Sequence, residues 1–275
     1  VYNIPLLLII GWRGAPKIAD EPQHKVKGKI TRKLLNLLKV DHLILENESD
    51  LLKLDKKIKQ SKNKIIACLI KDKTLKDETL VVKKKNRYIN KTEFMKIFLK
   101  KIKKNSKIIS TTGYTSRELY MLRKEKNFLN KGKDFYMVGG MGHTSSVALG
   151  YSIFYKKNTI CIDGDGSFLM HLGSIKSAGT FANKNFKYIL LNNNAHDSVG
   201  GQSTHANNID FEKLSKSFGF KKFYSIQNKK DLKKKVKNFL HGNSLSFLEV
   251  KVTNSKIKKL PRPTNLIKIK NQFMR

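Results

Sequence analysis

Cysteine is scarce in these 275 residues: only Cys68 and Cys161 are present. Each sits inside an apolar run, IIACLI and TICID, that reads as a buried strand. A disulfide framework is excluded, and two reduced thiols are the ordinary state of a cytoplasmic protein, which is the expected location. Acidic residues are also few, 21 against 57 lysines and arginines, for a formal net charge of +36. Such an excess invites a nucleic-acid or anionic-membrane reading. Arginine, however, is rare. The lysine runs Lys83 to Lys85, Lys100 to Lys104 and Lys233 to Lys235 are dispersed instead of being gathered with arginine and aromatics on one face. They read as solvated helix surfaces, and no nucleic-acid partner is expected, although the positive field favours encounter with small anionic substrates. Long apolar runs are missing too: no stretch approaches the roughly 20 residues of a membrane span, and the opening LLLII is shorter than a signal-peptide core, so no membrane partner is expected. There is no internal repeat.

With 39% hydrophobic residues the chain can bury one large core or two ordinary ones. Apolar runs that end in glycine or polar turns alternate with amphipathic stretches, the rhythm of a parallel α/β sheet covered on both faces. In the first third the pattern predicts strand 5–10, a loop GWRGAPKIADEPQHK, helix 31–38, strand 42–45, helix 50–60 and strand 64–70. Residues 71–90 read as a linker. A second α/β unit follows, with helices expected at 92–104, 116–126, 144–155, 172–181, 211–218 and 229–241. Its strands are expected at 107–110, 134–138, 158–162, 186–191, 222–226 and 246–252. The chain opens on Val1 with residues 4–10 already reading as an interior strand, so a further segment is expected upstream.

The chemistry gathers at two loops. Strand TICI runs into Asp163-Gly164-Asp165-Gly166-Ser167, and strand KYILL runs into Asn192-Asn193-Asn194. Both loops fall at carboxyl ends of parallel strands, where open α/β sheets bind their ligands. A carboxylate and an amide oxygen from two such loops suit magnesium, a hard cation that prefers oxygen and often bridges to a phosphate. The glycines let backbone N–H groups approach that phosphate, and a helix N-terminus follows. Ser110-Thr111-Thr112-Gly113, between a strand and helix SRELYML, offers further hydroxyl and backbone donors, with Ser116 near the helix start.

The pairing of GDG with NN about two dozen residues later, separated by a helix and a strand, resembles the cofactor motif of thiamine-diphosphate enzymes. Nearly the whole chain is similar to their 2-oxo-acid decarboxylases of the phosphonopyruvate and sulfopyruvate type. The similarity rests on IPLLLIIGWRGAPKIADEPQHKVKGKIT, STTGYTSREL, MVGGMGHTSSVALG, IDGDGSFLMHLGS and LLNNNAHDSVGGQSTHANNIDF. The first of the motif's neighbours, Gly139-Gly140-Met141-Gly142, looks like the stretch that props the bent cofactor.

The resemblance implies an α/β thiamine-diphosphate-binding fold of parallel sheets flanked by helices, in two tandem domains of which the first is incomplete. Residues 1–80 would be the C-terminal part of a pyrimidine-binding domain, 81–91 a linker, and 92–275 the diphosphate- and magnesium-binding domain. It further implies thiamine diphosphate and Mg2+ as cofactors, with Asp165, Asn193 and the Ala195 carbonyl on the metal; Asn192 stays open as the alternative to Asn193. Thr111, Thr112, Gly113, Ser116, Gly164, Gly166 and Ser167 would contact the diphosphate. Met141 would be the wedge beneath the cofactor and Gly139 the carbonyl on its aminopyrimidine.

The implied reaction is decarboxylation of 3-phosphonopyruvate to phosphonoacetaldehyde and CO2 in phosphonate biosynthesis, with sulfopyruvate or another 2-oxo acid as the alternative substrate. His24, His143 and His196 are the catalytic candidates, with Gln23 and Asp197 beside them. Asp197, Ser198 and Gln202 would line or close the site, and Gly200-Gly201 would give that loop mobility. Trp12 reads as structural, Arg13 is left undecided, and His171 would lie behind the site. The family's glutamate, which drives the imino tautomer of the cofactor, is expected upstream of Val1. The active site is expected at a subunit interface of a homo-oligomer.

Overall fold

The computed structural model describes residues 4–21, 23–75, 88–129, 132–253 and 259–275, and the chain divides into two compact units, Val1–Val82 and Lys83–Arg275. In the first unit, β1 (Leu6–Gly11), β2 (Asp41–Leu45) and β3 (Ile65–Ile70) form a parallel sheet in the order β1-β3-β2. IIACLI takes the central place because it is apolar on both faces; Ala67, Cys68 and Leu69 are buried. Helices α1 (His24–Leu37) and α2 (Ser49–Gln60) complete the βα rhythm.

Helix α1 corrects the sequence reading, which ended its loop at Lys25, left 26–30 unassigned and began the helix at Thr31. Its first turns, HKVKGKI, carry lysines and a glycine that mask helical periodicity. The glycine is there for contact: a Cβ on Gly28 would lie 1.8 Å from the carbonyl oxygen of Gly14. The loop before it is ordered around Asp20. That carboxylate accepts from Arg13 Nε at 2.9 Å, from the Gly14 N–H at 2.7 Å and from the Glu21 N–H at 2.7 Å, and pairs with His24 Nδ1 at 3.0 Å. The Arg13 guanidinium holds the Asp20 carboxyl far below the usual carboxylate range. Arg13, undecided from sequence, is therefore a salt-bridge residue of the loop. Trp12 is structural as expected, buried and donating from Nε1 to the Gly28 carbonyl at 2.9 Å.

Most of the expected linker, residues 76–87, lies outside the described residues; Ile89–Asn90 form a two-residue strand, β4. In the second unit, β5 (Lys107–Ser110), β6 (Lys133–Tyr136), β7 (Thr159–Gly164), β8 (Phe186–Asn192), β9 (Lys222–Ile226) and β10 (Ser246–Thr253) join one parallel sheet. Along its main path the order is β10-β8-β7-β5-β6, with β9 and then β4 on the outer edge of β10. Helices α3 (Lys91–Lys101), α4 (Tyr114–Leu122) and α9 (Leu232–His241) pack one face around Phe94, Phe98, Leu119 and Phe239. On the other face, around Phe168, Tyr188 and Phe247, lie α5 (Thr144–Phe154), α6 (Asp165–Met170), α7 (Leu172–Phe181), α8 (Phe211–Phe218) and α10 (Leu266–Met274). Strands β7 and β8 are buried along almost their whole length because both faces are covered, and their few polar residues, Asp163, Lys187 and Asn192 among them, are buried with them.

The chain lays β6 on one side of β5 and then returns to lay β7 on the other, so the winding reverses between β5 and β7. That reversal opens a crevice beyond their carboxyl ends. Two helices escaped the sequence reading. Helix α6 starts inside the GDG turn itself, and α10 follows an irregular segment and is anchored by the buried Lys107, whose Nζ donates to the Phe273 carbonyl.

Exchanging glycine for alanine in a helix normally stabilises by about 1 kcal/mol. Gly28→Ala is expected to do the opposite, lowering stability by roughly 1–3 kcal/mol through the clash with Gly14. Urea unfolding monitored by circular dichroism reads the sign.

Candidate active site

A cavity occupies the β5/β7 crevice. Its wall includes Thr111 and Thr112 after β5, Met141 after β6, Gly164 to Ser167 after β7, and Asn193 and Ala195 to Ser198 after β8. Segments far apart in sequence, from Thr111 to Ser198, thus converge because four parallel strands end at the same edge of the sheet.

The loops are pinned by one buried carboxylate. Asp163, fully buried, accepts from the Tyr188 hydroxyl at 2.8 Å and from the Gly164 N–H at 3.0 Å, and is met by the hydroxyls of Ser167 and Thr111. Ser167 Oγ in turn accepts from the Gly142 N–H and from Thr111 Oγ1, both at 2.9 Å. One carboxylate and one hydroxyl therefore tie together the loops after β5, β6 and β7. Ser167 lines the cavity, but its hydroxyl is committed to this brace.

Asp165 begins α6 and faces the cavity, 2% exposed, with Thr204 Oγ1 donating to it. Burial pushes its carboxyl above the ordinary range, as it does that of Asp163. Of the two asparagines left open by the sequence, Asn193 is on the cavity wall. Asn192 turns inward, giving its amide to Glu249 Oε1 at 2.9 Å and accepting from the Asn194 N–H at 3.1 Å. Asn192 is corrected accordingly from a possible ligand to a brace of its loop. Among the described residues no three His, Cys, Asp or Glu side chains converge. Asp165, Asn193 and Ala195 share the wall instead; the Asn193 amide oxygen accepts from the Ala195 N–H at 3.1 Å and the Ala195 carbonyl from the Asp197 N–H at 2.9 Å, and one carboxylate with two such oxygens would suit a hard cation that takes its remaining oxygens from phosphate and water.

Glycine gives the cavity its depth. A Cβ on Gly166 would sit 2.4 Å from His196 Nδ1, so His196 lies directly over the GDG turn. Gly113, at φ +90°, packs against Ser198. Asp197 also lines the wall.

Other candidates lie elsewhere. Ser116 is not on the wall; its hydroxyl meets Ser110 Oγ at 2.7 Å and the Thr111 carbonyl at 2.6 Å, so it shapes the loop from beneath. Gly139, at φ +72°, is also off the wall. His143 is exposed, its ring 4.2 Å from that of His171, beside the glycine turn that holds Met141. His24 and Gln23 belong to the first unit.

Lys91 is a charged wall residue that the sequence reading missed, as it missed Tyr114 and Thr115. It is 5% exposed and pairs with the fully buried Glu118 at 3.1 Å, while the Thr92 hydroxyl donates to the same carboxylate. A signal existed: Lys91 stands three and four residues before Phe94 and Met95, on the buried stripe of α3.

This fold and donor set define a thiamine-diphosphate-binding protein, and comparison bears the class out. The family described as "Thiamine pyrophosphate enzyme, C-terminal TPP binding domain" matches residues 110–250, and the chain belongs to it. Within that family it is similar to phosphonopyruvate decarboxylase of Streptomyces viridochromogenes, 28% identical over 95% of this chain and 69% of the relative. It is also similar to sulfopyruvate decarboxylase subunit beta of Methanocaldococcus jannaschii, 29% identical over 66% of this chain and 94% of the relative. Among solved structures, the thiamine diphosphate-dependent 4-hydroxybenzoylformate decarboxylase of Rhodococcus jostii RHA1 superposes with a TM-score of 0.51 at 16% identity. The match covers 75% of this chain and 40% of that one, and it shows the shared fold. No described helix is long and apolar enough to cross a membrane.

Two predictions follow from the buried charges. Lys91→Met and Glu118→Gln are each expected to cost about 3–5 kcal/mol of stability, and the double variant to recover part of that loss, because removing one partner strands a buried charge; urea unfolding of the four proteins tests the cycle. Asp163 and Asp165 hold their protons longer in the native state than in the unfolded chain. Their contribution is therefore present below the ordinary carboxylate range and is lost as pH rises through the raised native values. In EDTA, the unfolding free energy of the parent relative to Asp163→Asn should fall as pH rises from about 4 to 7, read by urea unfolding of the two proteins side by side.

Proposed function

We propose that this protein is a thiamine-diphosphate- and magnesium-dependent carboxy-lyase that converts 3-phosphonopyruvate to phosphonoacetaldehyde and CO2 in phosphonate biosynthesis. The observation that carries the reading is similarity to phosphonopyruvate decarboxylase over 95% of the chain, through both units. In this reading the first unit is the C-terminal part of a pyrimidine-binding domain, residues 1–80, and residues 92–275 are the diphosphate- and magnesium-binding domain. The active site is shared between subunits of a homo-oligomer.

Asp165, Asn193 and the Ala195 carbonyl hold magnesium. The backbone of Gly164 and Gly166, together with Thr111, Thr112 and the Gly113 turn, receives the diphosphate. Met141 supports the cofactor from below, and the Gly139 carbonyl serves its aminopyrimidine. When bound, thiamine diphosphate supplies the electron sink that accepts the pair released as CO2 departs. The protein's part is to bind, orient and exclude water. His196, over the GDG turn and beside Asp197, is placed to move a proton at the substrate end of the cavity. Lys91 adds a cation to a wall that must face several anionic oxygens. His143 is a further catalytic candidate of the second unit, and His24, with Gln23 next to it, is the candidate that the first unit carries.

A second reading, sulfopyruvate decarboxylation, has its own support in the 29% identity to the sulfopyruvate decarboxylase beta subunit across 94% of that subunit. The two substrates share a 2-oxo acid and differ in the distal anion, phosphonate against sulfonate. Protein expressed from its complete reading frame is assayed with each substrate, with thiamine diphosphate and Mg2+. Phosphonoacetaldehyde formation at a kcat/KM at least tenfold above that for sulfopyruvate, abolished in Asp165→Ala, is the expected result. The reverse ratio transfers the assignment to sulfopyruvate.

A further inference from the structure

At the opposite end of the second unit's sheet, by the amino ends of β8, β9 and β10, a cleft of about 550 Å3 opens. That is the size of an ordinary small-molecule pocket. Strand β8 is seven residues long, which puts the cleft about 20 Å from the cofactor cavity at the other end of the strand.

Its floor is made by two glycines. A Cβ on Gly179 would lie 2.1 Å from the Phe218 carbonyl oxygen, and one on Gly219 would lie 2.5 Å from that of Gly179. Helix α7 and the C-terminus of α8 therefore meet backbone to backbone and leave a hollow above them.

The rim carries Lys176, Lys184 and Lys221, and none of the described lining residues is acidic. Asn183, Asn243 and Ser244 add neutral donors. The acidic residues of α8, Asp210 and Glu212, stand at the helix's other end and pair with Lys213 and Lys216. Lys176 is steadied by Thr180, to whose hydroxyl it donates at 2.8 Å.

A fourth cation stands behind the wall. Lys187 is 1% exposed, and its Nζ donates to the Gly242 carbonyl at 2.7 Å and the Ser244 carbonyl at 2.6 Å, from the turn that lines the cleft. Burial pushes its ammonium down to about 8, with no carboxylate offsetting it. A buried cation satisfied only by neutral carbonyls is costly, and an anion at the adjacent wall offsets that cost.

We propose that this cleft is a second anion site, separate from the cofactor cavity, which binds a small phosphate-bearing molecule with two or more negative charges. Three rim lysines, neutral side-chain donors and the charge behind the Gly242–Ser244 turn supply the complement of such a group.

Calorimetry with pyrophosphate and with ATP tests it, on the parent protein, on Asp165→Ala, and on the triple variant Lys176→Ala/Lys184→Ala/Lys221→Ala. All three lysines are exposed, so the triple variant keeps its fold, as an unchanged urea midpoint verifies. In EDTA, which withholds the magnesium that the cofactor cavity needs for its diphosphate, the expected result is one site in the parent and in Asp165→Ala with affinities within twofold of each other, weakened at least tenfold in the triple variant. Equal affinity in the triple variant overturns the proposal. Loss of binding in Asp165→Ala overturns it too, by moving the probe to the cofactor cavity. Displacement of pyrophosphate by duplex DNA, with an affinity that collapses between about 50 and 200 mM salt, makes the cleft a nucleic-acid contact instead.

Discussion

A carboxylate fully enclosed by protein survives only if its oxygens are saturated with donors, and Asp163 meets that demand by recruiting hydroxyls from its surroundings. Tyr188 comes from β8, Thr111 from the loop after β5, and Ser167 from the turn after β7. Through Ser167, the Gly142 turn after β6 is drawn in as well. The solution to one desolvation problem therefore fixes four chain segments around a single crevice. The neighbouring Asp165, buried and with its carboxyl pushed up by that burial, is presented into the crevice. Pre-organisation of this kind lets weak individual donors bind a strongly hydrated metal–phosphate group.

The parallel sheet explains why the crevice exists where it does. Apolar strands covered on both faces leave only their ends for polar chemistry, and reversal of the winding between β5 and β7 parts the following loops. The two ends of the sheet then divide the work. The carboxyl end gathers glycine turns, hydroxyls and Asp165, whereas the amino end gathers lysines around the hollow at Gly179 and Gly219.

Much of this was legible in the sequence because it is local. GDG and NNN each follow an apolar strand, so the chain itself brings Asp165, Gly166 and Asn193 to one edge, and the strands at 107–110 and 222–226 fall where expected. What escaped depends on contacts distant in sequence. Helix α1 begins at His24 because Gly28 finds Gly14, and α10 docks because Lys107 finds the carbonyl of Phe273. Asn192 and Asn193 cannot be told apart without Glu249, 57 residues on, which claims the former. Ser116 is a plausible donor until Ser110 and Thr111 take its hydroxyl. Reading lysine as surface holds for most of the chain and fails at Lys91, Lys107 and Lys187, all buried. In each case the ammonium has a specific oxygen to bind, which composition cannot reveal.

The central claim is that Asp165, Asn193 and the Ala195 carbonyl form a magnesium site completed by a diphosphate. Crystals grown with thiamine diphosphate and Mn2+ in place of Mg2+ test it through the anomalous signal of the manganese. The account predicts one strong peak within about 2.0–2.3 Å of all three oxygens, present with the cofactor and lost in Asp165→Ala. A manganese peak elsewhere, or a diphosphate bound with no metal on Asp165, would contradict it.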